Sequence, residues 1–274
     1  MMQAPSLDDE DLELYLLLEA IYLKFHYDFR GYSRASLGRR LKEALAFFHC
    51  RTVSALQDRV LHEPEVFPAL MRFLTVGVSD LFRDASFFQA MRQEIVPILR
   101  TYPSLRVWVA GCATGEEAYS HAILLEEEGL LERTVIYATD INGESLQTAQ
   151  AGVYTLDRLE TFESNHRQSG ARGPLSMHYT AGYGSLVFNR SLKDRIVFSD
   201  HSLATDSVFA EMQVISCRNV LIYFERTLQN RALGLFRESL CHRGFLGLGA
   251  PETLRFSDHE ASFTEFAERW YQRC

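Results

Sequence analysis

The chain has 274 residues, 47% of them hydrophobic and 23% charged, with a formal net charge of −8. That is enough chain for one sizeable core or two modest ones, and the acidic balance argues against a general nucleic-acid binder, which needs a basic surface. No apolar run nears the roughly 18 residues of a membrane span, and the five scattered cysteines (Cys50, Cys112, Cys217, Cys241, Cys274) contain no CxxC pair, which argues against a disulfide framework or a structural zinc site.

Residues 1–11 are polar and acidic, without the basic and apolar regions of a signal peptide, so a cytoplasmic protein is expected. The apolar stretch 12–23, broken by Glu13 and Glu19, reads as a buried amphipathic helix. Between residues 29 and 52, six basic residues (Arg30, Arg34, Arg39, Arg40, Lys42, Arg51) face Glu43 alone. Such a stripe suits an acidic partner, although charge by itself favours the plain reading of a solvated helix face. Leu37, Leu41, Ala44, Leu45 and Phe48 share one helical face, with Arg39, Lys42 and Glu43 opposite and Ser36 as the expected cap. Pro64 and Pro68 interrupt the next helical region, and 86–99 reads as a further helix.

After Pro103 the pattern changes. Short apolar runs at 106–110, 134–139, 195–199, 212–217 and 245–249 enclose helical stretches at 117–127, 144–151 and 227–240. This alternation predicts a parallel sheet with helices on both faces, whose ligands bind beyond the carboxyl ends of the strands. The interval 152–194 fits poorly: with Gly170, Gly173, Pro174, Gly182 and Gly184, and β-prone pieces at 177–180 and 186–189, it reads as an insertion with a small antiparallel element.

Three strings carry chemistry. In Arg106-Val-Trp-Val-Ala-Gly-Cys-Ala-Thr-Gly-Glu-Glu-Ala-Tyr-Ser120 a strand runs through a glycine turn into a helix, with Thr114 placed to cap it. It is neither a dinucleotide fingerprint nor a P-loop, and Glu116 with Glu117 would repel a pyrophosphate while suiting a cationic ligand such as a sulfonium. The plain alternative is that acidic residues favour a helix's first turn. In Ala138-Thr-Asp-Ile141 an acidic residue ends the next strand, where it can accept from ribose hydroxyls or merely cap a turn. In Val214-Ile-Ser-Cys-Arg-Asn-Val-Leu-Ile-Tyr-Phe224 a buried strand delivers Arg218, Asn219 and Tyr223; a turn-forming Asn and a core Tyr are the alternative.

Together with Thr75-Val-Gly-Val-Ser-Asp-Leu-Phe-Arg-Asp84, these strings resemble the chemotaxis receptor methyltransferases (the CheR family), in order and over residues 12–270. The resemblance implies an α/β class I (Rossmann-like) methyltransferase domain at 106–274 with a small antiparallel β-subdomain inserted near 172–194. An all-helical N-terminal docking domain at 1–75 and a linker helix region at 76–105 would precede it. The implied enzyme is a protein-glutamate O-methyltransferase (EC 2.1.1 class). It would use S-adenosylmethionine, release S-adenosylhomocysteine and form methyl esters on methyl-accepting chemoreceptors in signal adaptation. Arg83 and Tyr223 resemble the catalytic residues flanking the transferring methyl group. Ser79, Arg83, Ala110, Gly111, Cys112, Glu116, Asp140, Ile141, Ser202, Leu203, Arg218 and Asn219 match cofactor-binding positions. Arg34, Arg39, Arg40 and Lys42 would dock the receptor's cytoplasmic helical domain. A monomer without metal, nucleic acid or membrane insertion is expected.

The sequence departs from the family at four places: Gly77 where Asn is frequent, Ala118 where Pro is usual, Ser202 where Asn is common, and Gly249-Ala-Pro-Glu252 in place of Gly-His-Ser-Glu. These put affinity and substrate preference in question more than the reaction. A small-molecule methyltransferase and a non-catalytic S-adenosylmethionine-binding regulator are the alternatives; a nicotinamide-dependent oxidoreductase is opposed by Glu116 and Glu117.

Overall fold

The computed structural model describes residues 8–77 and 79–274. The first seven residues of the acidic N-terminal stretch and Val78 of the 75–84 string lie outside the described residues. The chain divides into two compact units, Met1–Val76 with Tyr223–Gln229, and Gly77–Ile222 with Asn230–Cys274.

The first unit is built on α1 (Asp9–Phe25), α2 (Arg34–Phe47), α3 (Val53–His62) and α4 (Val66–Leu74). Asp8 caps α1 by accepting from the Asp11 amide at 2.8 Å, and the acidic first turn suits the positive end of the helix dipole. Leu14, Leu17, Leu18 and Ile21 are buried, whereas Leu12, Tyr15, Leu16 and Leu23 are exposed. The helix expected at 12–23 is thus apolar on two faces, of which one is covered. In α2 the expected face is buried at Leu37, Leu41, Ala44 and Phe48. Its cap is Ser33, not Ser36: the Ser33 amide donates to the Tyr223 carbonyl at 2.7 Å, which fixes the helix start there, and the Ser36 hydroxyl accepts from Arg40 instead. Pro64 separates α3 from α4, but Pro68 falls within the first turn of α4, where its missing N–H breaks no helical bond. Aromatic packing completes this unit, with Phe25 stacked on Phe67 at 3.9 Å and Tyr32 edge-on to Phe29 and Phe224.

The second unit begins with α5 (Ala85–Ala90), a π-helical turn (Met91–Ile95) and α6 (Val96–Leu99), where a single helix was expected. The π-turn accompanies an inward-facing Arg92, which meets Glu127 and Glu128 in the interior. There follow β1 (Leu105–Ala110), α7 (Glu116–Glu127), β2 (Thr134–Asp140), α8 (Gly143–Ala151), β3 (Val153–Thr155) and α9 (Leu159–Gln168). Next come β4 (Tyr179–Gly182), β5 (Ser185–Phe188), α10 (Arg190–Lys193), β6 (Ile196–Asp200), β7 (Met212–Cys217), α11 (Arg226–Ser239, which belongs to this unit from Asn230 onward), β8 (Leu240–Leu248), β9 (Phe263–Ala267) and β10 (Trp270–Arg273).

The main sheet has the order β6-β2-β1-β7-β8-β10-β9. Its first five strands are parallel; β10 and β9 extend it antiparallel, a hairpin that the alternation of apolar runs did not announce. β1 is central, with Val109 opposite Ala138 on one side and Ser216 on the other. The chain moves outward from β1 through β2 to β6, then returns to the far side of β1 with β7. Strand order therefore reverses at β1, and the crevice of an α/β sheet opens beyond the carboxyl ends at such a point. The antiparallel element of the insertion is a three-stranded sheet, β3-β5-β4.

Candidate functional site

β1 feeds the glycine turn. The Gly111 and Cys112 amides donate to the Thr139 carbonyl at 2.8 and 2.9 Å, tying the turn to the end of β2. Gly111 has φ +74°, and a Cβ there would stand 2.4 Å from Val220 Cγ2; Gly115, at φ +95°, would bring one 2.7 Å from Ala149 Cβ. Both positions need glycine for backbone angle and for space. Gly115 is itself the cap residue of α7, and the Thr114 hydroxyl, expected to cap, donates to Glu116 Oε2 at 2.7 Å.

Asp140 ends β2. Its Oδ2 accepts from the Ala113 amide at 2.8 Å and its Oδ1 from the Asn142 amide at 2.9 Å. Burial raises its pKa, and these amides oppose the rise. The Ile141 amide also acts on this carboxylate, whose second lone pairs leave acceptor capacity for a ligand. Ile141 follows it, half-buried.

The two glutamates of the turn face different partners. Glu116, 1% exposed, accepts from Arg158 Nη1 at 2.9 Å, and Arg158 also meets Asp80 at 2.5 Å and the Ser79 carbonyl. Burial raises the Glu116 pKa, with Thr114 and Arg158 pulling it back. Glu117 accepts from the Ser216 hydroxyl at 2.6 Å and from Arg218 Nη1 at 3.1 Å. Arg218, expected to touch the cofactor, is buried and committed to the protein: Nη2 meets Asp84 at 2.8 Å and the Arg83 carbonyl at 2.6 Å, and the guanidinium lies 4.2 Å from the Phe87 ring centroid. The Arg83 guanidinium has no hydrogen-bond or ion-pair partner among the described residues, so it is available to a ligand.

Asn219 adopts φ +59° just past β7. Its conformation is fixed by Glu252, a residue not singled out from sequence. The Glu252 carboxylate accepts four backbone amides: Gly249 at 2.6 Å, Asn219 at 2.9 Å, and Val220 and Leu221 at 2.8 Å each. The retained Glu at the end of Gly249-Ala-Pro-Glu252 was the signal available. For Arg158, inside the insertion, no local signal existed. Beyond β6, the Ser202 amide donates to Asp206 at 2.9 Å, and the buried Leu203 gives its carbonyl to Arg231 at 2.6 Å.

Tyr223 belongs to the first unit, where its ring lies 5.3 Å from the Arg40 guanidinium. Arg40 was expected in the docking stripe and is instead 7% exposed, with Nη1 on the Leu74 carbonyl at 2.6 Å; its position in the buried stripe of α2 turns it inward. Arg30 is engaged by Asp28 and Glu19. Arg34, Arg39 and Lys42 remain exposed and flank a groove of about 440 Å³ between α1 and α2. Burial pushes the Cys112 and Cys217 thiols well above their ordinary range, so neither supplies a thiolate nucleophile.

The family model for the S-adenosylmethionine-binding domain of CheR methyltransferases matches residues 77–271, and that for their all-alpha domain matches residues 12–75. The chain belongs to the CheR methyltransferase family. This CheR-family chain is 58% identical over 253 residues to a Pseudomonas putida protein named "Putative methyltransferase Cher3", covering 92% of its own length and 93% of that relative. It is 32% identical to "Chemotaxis protein methyltransferase 2" of Pseudomonas aeruginosa, over 75% of this chain and 69% of the other. With the "Chemotaxis protein methyltransferase" of Salmonella typhimurium it shares 30% identity, over 75% and 67% of the two chains. It is accordingly an S-adenosylmethionine-dependent methyltransferase by family. Among the described residues no helix is long and apolar enough to cross a membrane.

The crevice residues fit that cofactor. The buried Glu116 and the half-buried Asp140 belong to a turn whose backbone admits no side chain at Gly111, and the Arg83 guanidinium, without a partner among the described residues, can take a carboxylate.

Proposed function

We propose that this CheR-family enzyme methylates glutamate side chains on the cytoplasmic helical domain of methyl-accepting chemoreceptors, and so works in the cytoplasm. The observation that supports this reading is the exposed Arg34, Arg39 and Lys42 on one rim of a groove on the all-alpha unit; Glu10 and Asp11 line its other side and Glu10 pairs with Lys42 at 3.8 Å, so Arg34 and Arg39 are the charges offered to an acidic protein.

S-adenosylmethionine supplies, when bound, a methyl group made electrophilic by the positive sulfur. Asp140 would use its remaining lone pairs on the two ribose hydroxyls, and Glu116 would face the cationic portion. The 110–112 backbone would line the approach, with Ile141, Ser202 and Leu203 toward the base. Ser79 and Asn219 complete the set through their main chains, each fixed by a neighbour (Arg158 and Glu252).

A substrate glutamate, with an ordinary pKa of about 4.3, is already ionised at neutral pH, so no general base is required. The protein's task is to align the carboxylate and strip its water. Arg83 serves best on the cofactor carboxylate or the far substrate oxygen, because a bidentate clamp would draw electron density from the attacking atom. Tyr223 would orient the reactive oxygen. Arg218 is a positioning residue that sets the Arg83 main chain. Each ester removes one negative charge from the receptor bundle and changes repulsion between its helices.

The test is transfer of a radiolabelled methyl group to membranes containing the organism's chemoreceptors, with heat-killed enzyme as control. Methanol released from the protein by mild base supports the ester. Label that appears only in small molecules, or not at all, overturns the reading.

A further inference from the structure

Away from the crevice, Glu127 at the end of α7, His166 in α9 and His178 just before β4 converge. The His166 and His178 side chains are 1% and 6% exposed, and the Glu127 side chain 6%. Both Nε2 atoms face the same oxygen, Glu127 Oε1, from 2.9 Å for His166 and 3.4 Å for His178. One ligand atom from each residue lies within 4.8 Å of the others.

His178 Nδ1 stands 2.8 Å from Glu126 Oε2 and is the atom that donates there. With Nδ1 held there, Nε2 is directed at Glu127 Oε1, an arrangement completed by a positive species between the two atoms, either a proton or a metal ion. A carboxylate that fixes the tautomer from the far nitrogen is the usual support of a metal-binding histidine. Tetrahedral zinc with bonds of 2.0–2.1 Å separates its ligands by about 3.3 Å, and the two measured separations, 2.9 and 3.4 Å, lie either side of that value. Arg92 occupies the other carboxylate oxygen, Oε2, leaving Oε1 for a single bond. A cavity of about 300 Å³ lined by Glu126, Glu127, Arg172, Met177 and His178 reaches the cluster, giving a way in and space for a water.

We propose that Glu127 Oε1, His166 Nε2 and His178 Nε2 bind a divalent cation of the zinc type, with water as the fourth ligand. The ligands come from α7, α9 and the entry to β4, so the ion would fasten the insertion to the helix that leads out of the glycine turn. Arg92, Arg100 and Arg172 already oppose the Glu126–Glu128 cluster. The added charge makes this site weaker than one built from thiolates.

The test titrates the chelator-treated full chain with zinc at neutral pH by calorimetry, and with cobalt by visible absorption. One ion per chain, a raised melting temperature and the strong visible bands of tetrahedral cobalt are expected. His178→Ala and His166→Gln should each weaken zinc binding at least tenfold, and Glu126→Gln, outside the ligand set, about tenfold. Unchanged S-adenosylmethionine affinity of the same samples reports that they are folded. Absence of saturable zinc binding up to about 100 µM, or equal binding by wild type and both histidine variants, overturns the proposal.

Discussion

The guanidinium of Arg218 holds the main-chain carbonyl of Arg83 at 2.6 Å, so one buried arginine sets the backbone of another whose own side chain has no partner among the described residues. Arg83→Ala should therefore remove chemistry and leave the fold. Receptor methylation is expected to fall by about two orders of magnitude, the scale of losing one preorganised polar contact to reacting groups, with a melting temperature within about 2 °C of wild type. Methylation near the wild-type rate would refute the role given to Arg83.

Glu252 collects four backbone amides, and Glu252→Gln would set an NH2 group against some of them. Leaving buried donors without an acceptor costs about 1–3 kcal/mol each. The variant should be destabilised by several kcal/mol in urea unfolding and bind S-adenosylmethionine more weakly, although the Glu252 side chain is assigned no contact with the ligand. A variant as stable as wild type would show that the amides find other partners.

The docking surface separates from the core residue beside it. Reversing Arg34, Arg39 and Lys42 together to Glu should slow methylation of intact receptor at least tenfold at low salt while calorimetric cofactor affinity is unchanged. Arg40→Glu should instead fail to fold stably, because it buries a carboxylate against the Leu74 carbonyl. Unchanged receptor kinetics in the triple variant would remove the docking proposal.

Acid stability carries a signature of His121. This ring is fully buried and edge-on to Phe88; neither nitrogen has a hydrogen-bond partner among the described residues. Glu117 Oε1 stands 4.0 Å away, beyond hydrogen-bond reach, so it does not hold a proton on the ring. Burial, aided by the Arg218 charge, lowers the pKa from 6.5 to about 3. The unfolded chain thus takes up this proton first. The group's stabilisation is complete above the unfolded pKa and drains away as pH falls from about 6.5 toward 3, by at most about 1.4 kcal/mol per pH unit. Unfolding free energies across that window should decline less steeply in His121→Leu; an identical decline would assign the acid sensitivity elsewhere.

The parts of the site that could be read from sequence are those written locally. A strand, a turn and a helix follow one another around Gly111; Asp140 directly ends β2 and Arg218 directly follows β7, so periodicity and turn chemistry place them at the crevice. What escaped joins distant positions. Arg158 meets Glu116 across 42 residues and Glu252 meets Asn219 across 33, and no helical or strand period spans such gaps. The inward turn of Arg40 was legible after all. It lies three residues after Leu37 and four before Ala44, within the buried stripe, and its charge drew attention away from its phase.

The turn at Gly249-Ala-Pro-Glu252 has its two ends bound to each other, with the Gly249 amide on the Glu252 carboxylate, and its two middle residues open to solvent. Ala250 and Pro251 therefore take no part in holding the Glu252 carboxylate on its four amides. A mismatch at those inner letters leaves intact the clasp that fixes the backbone beside Asn219.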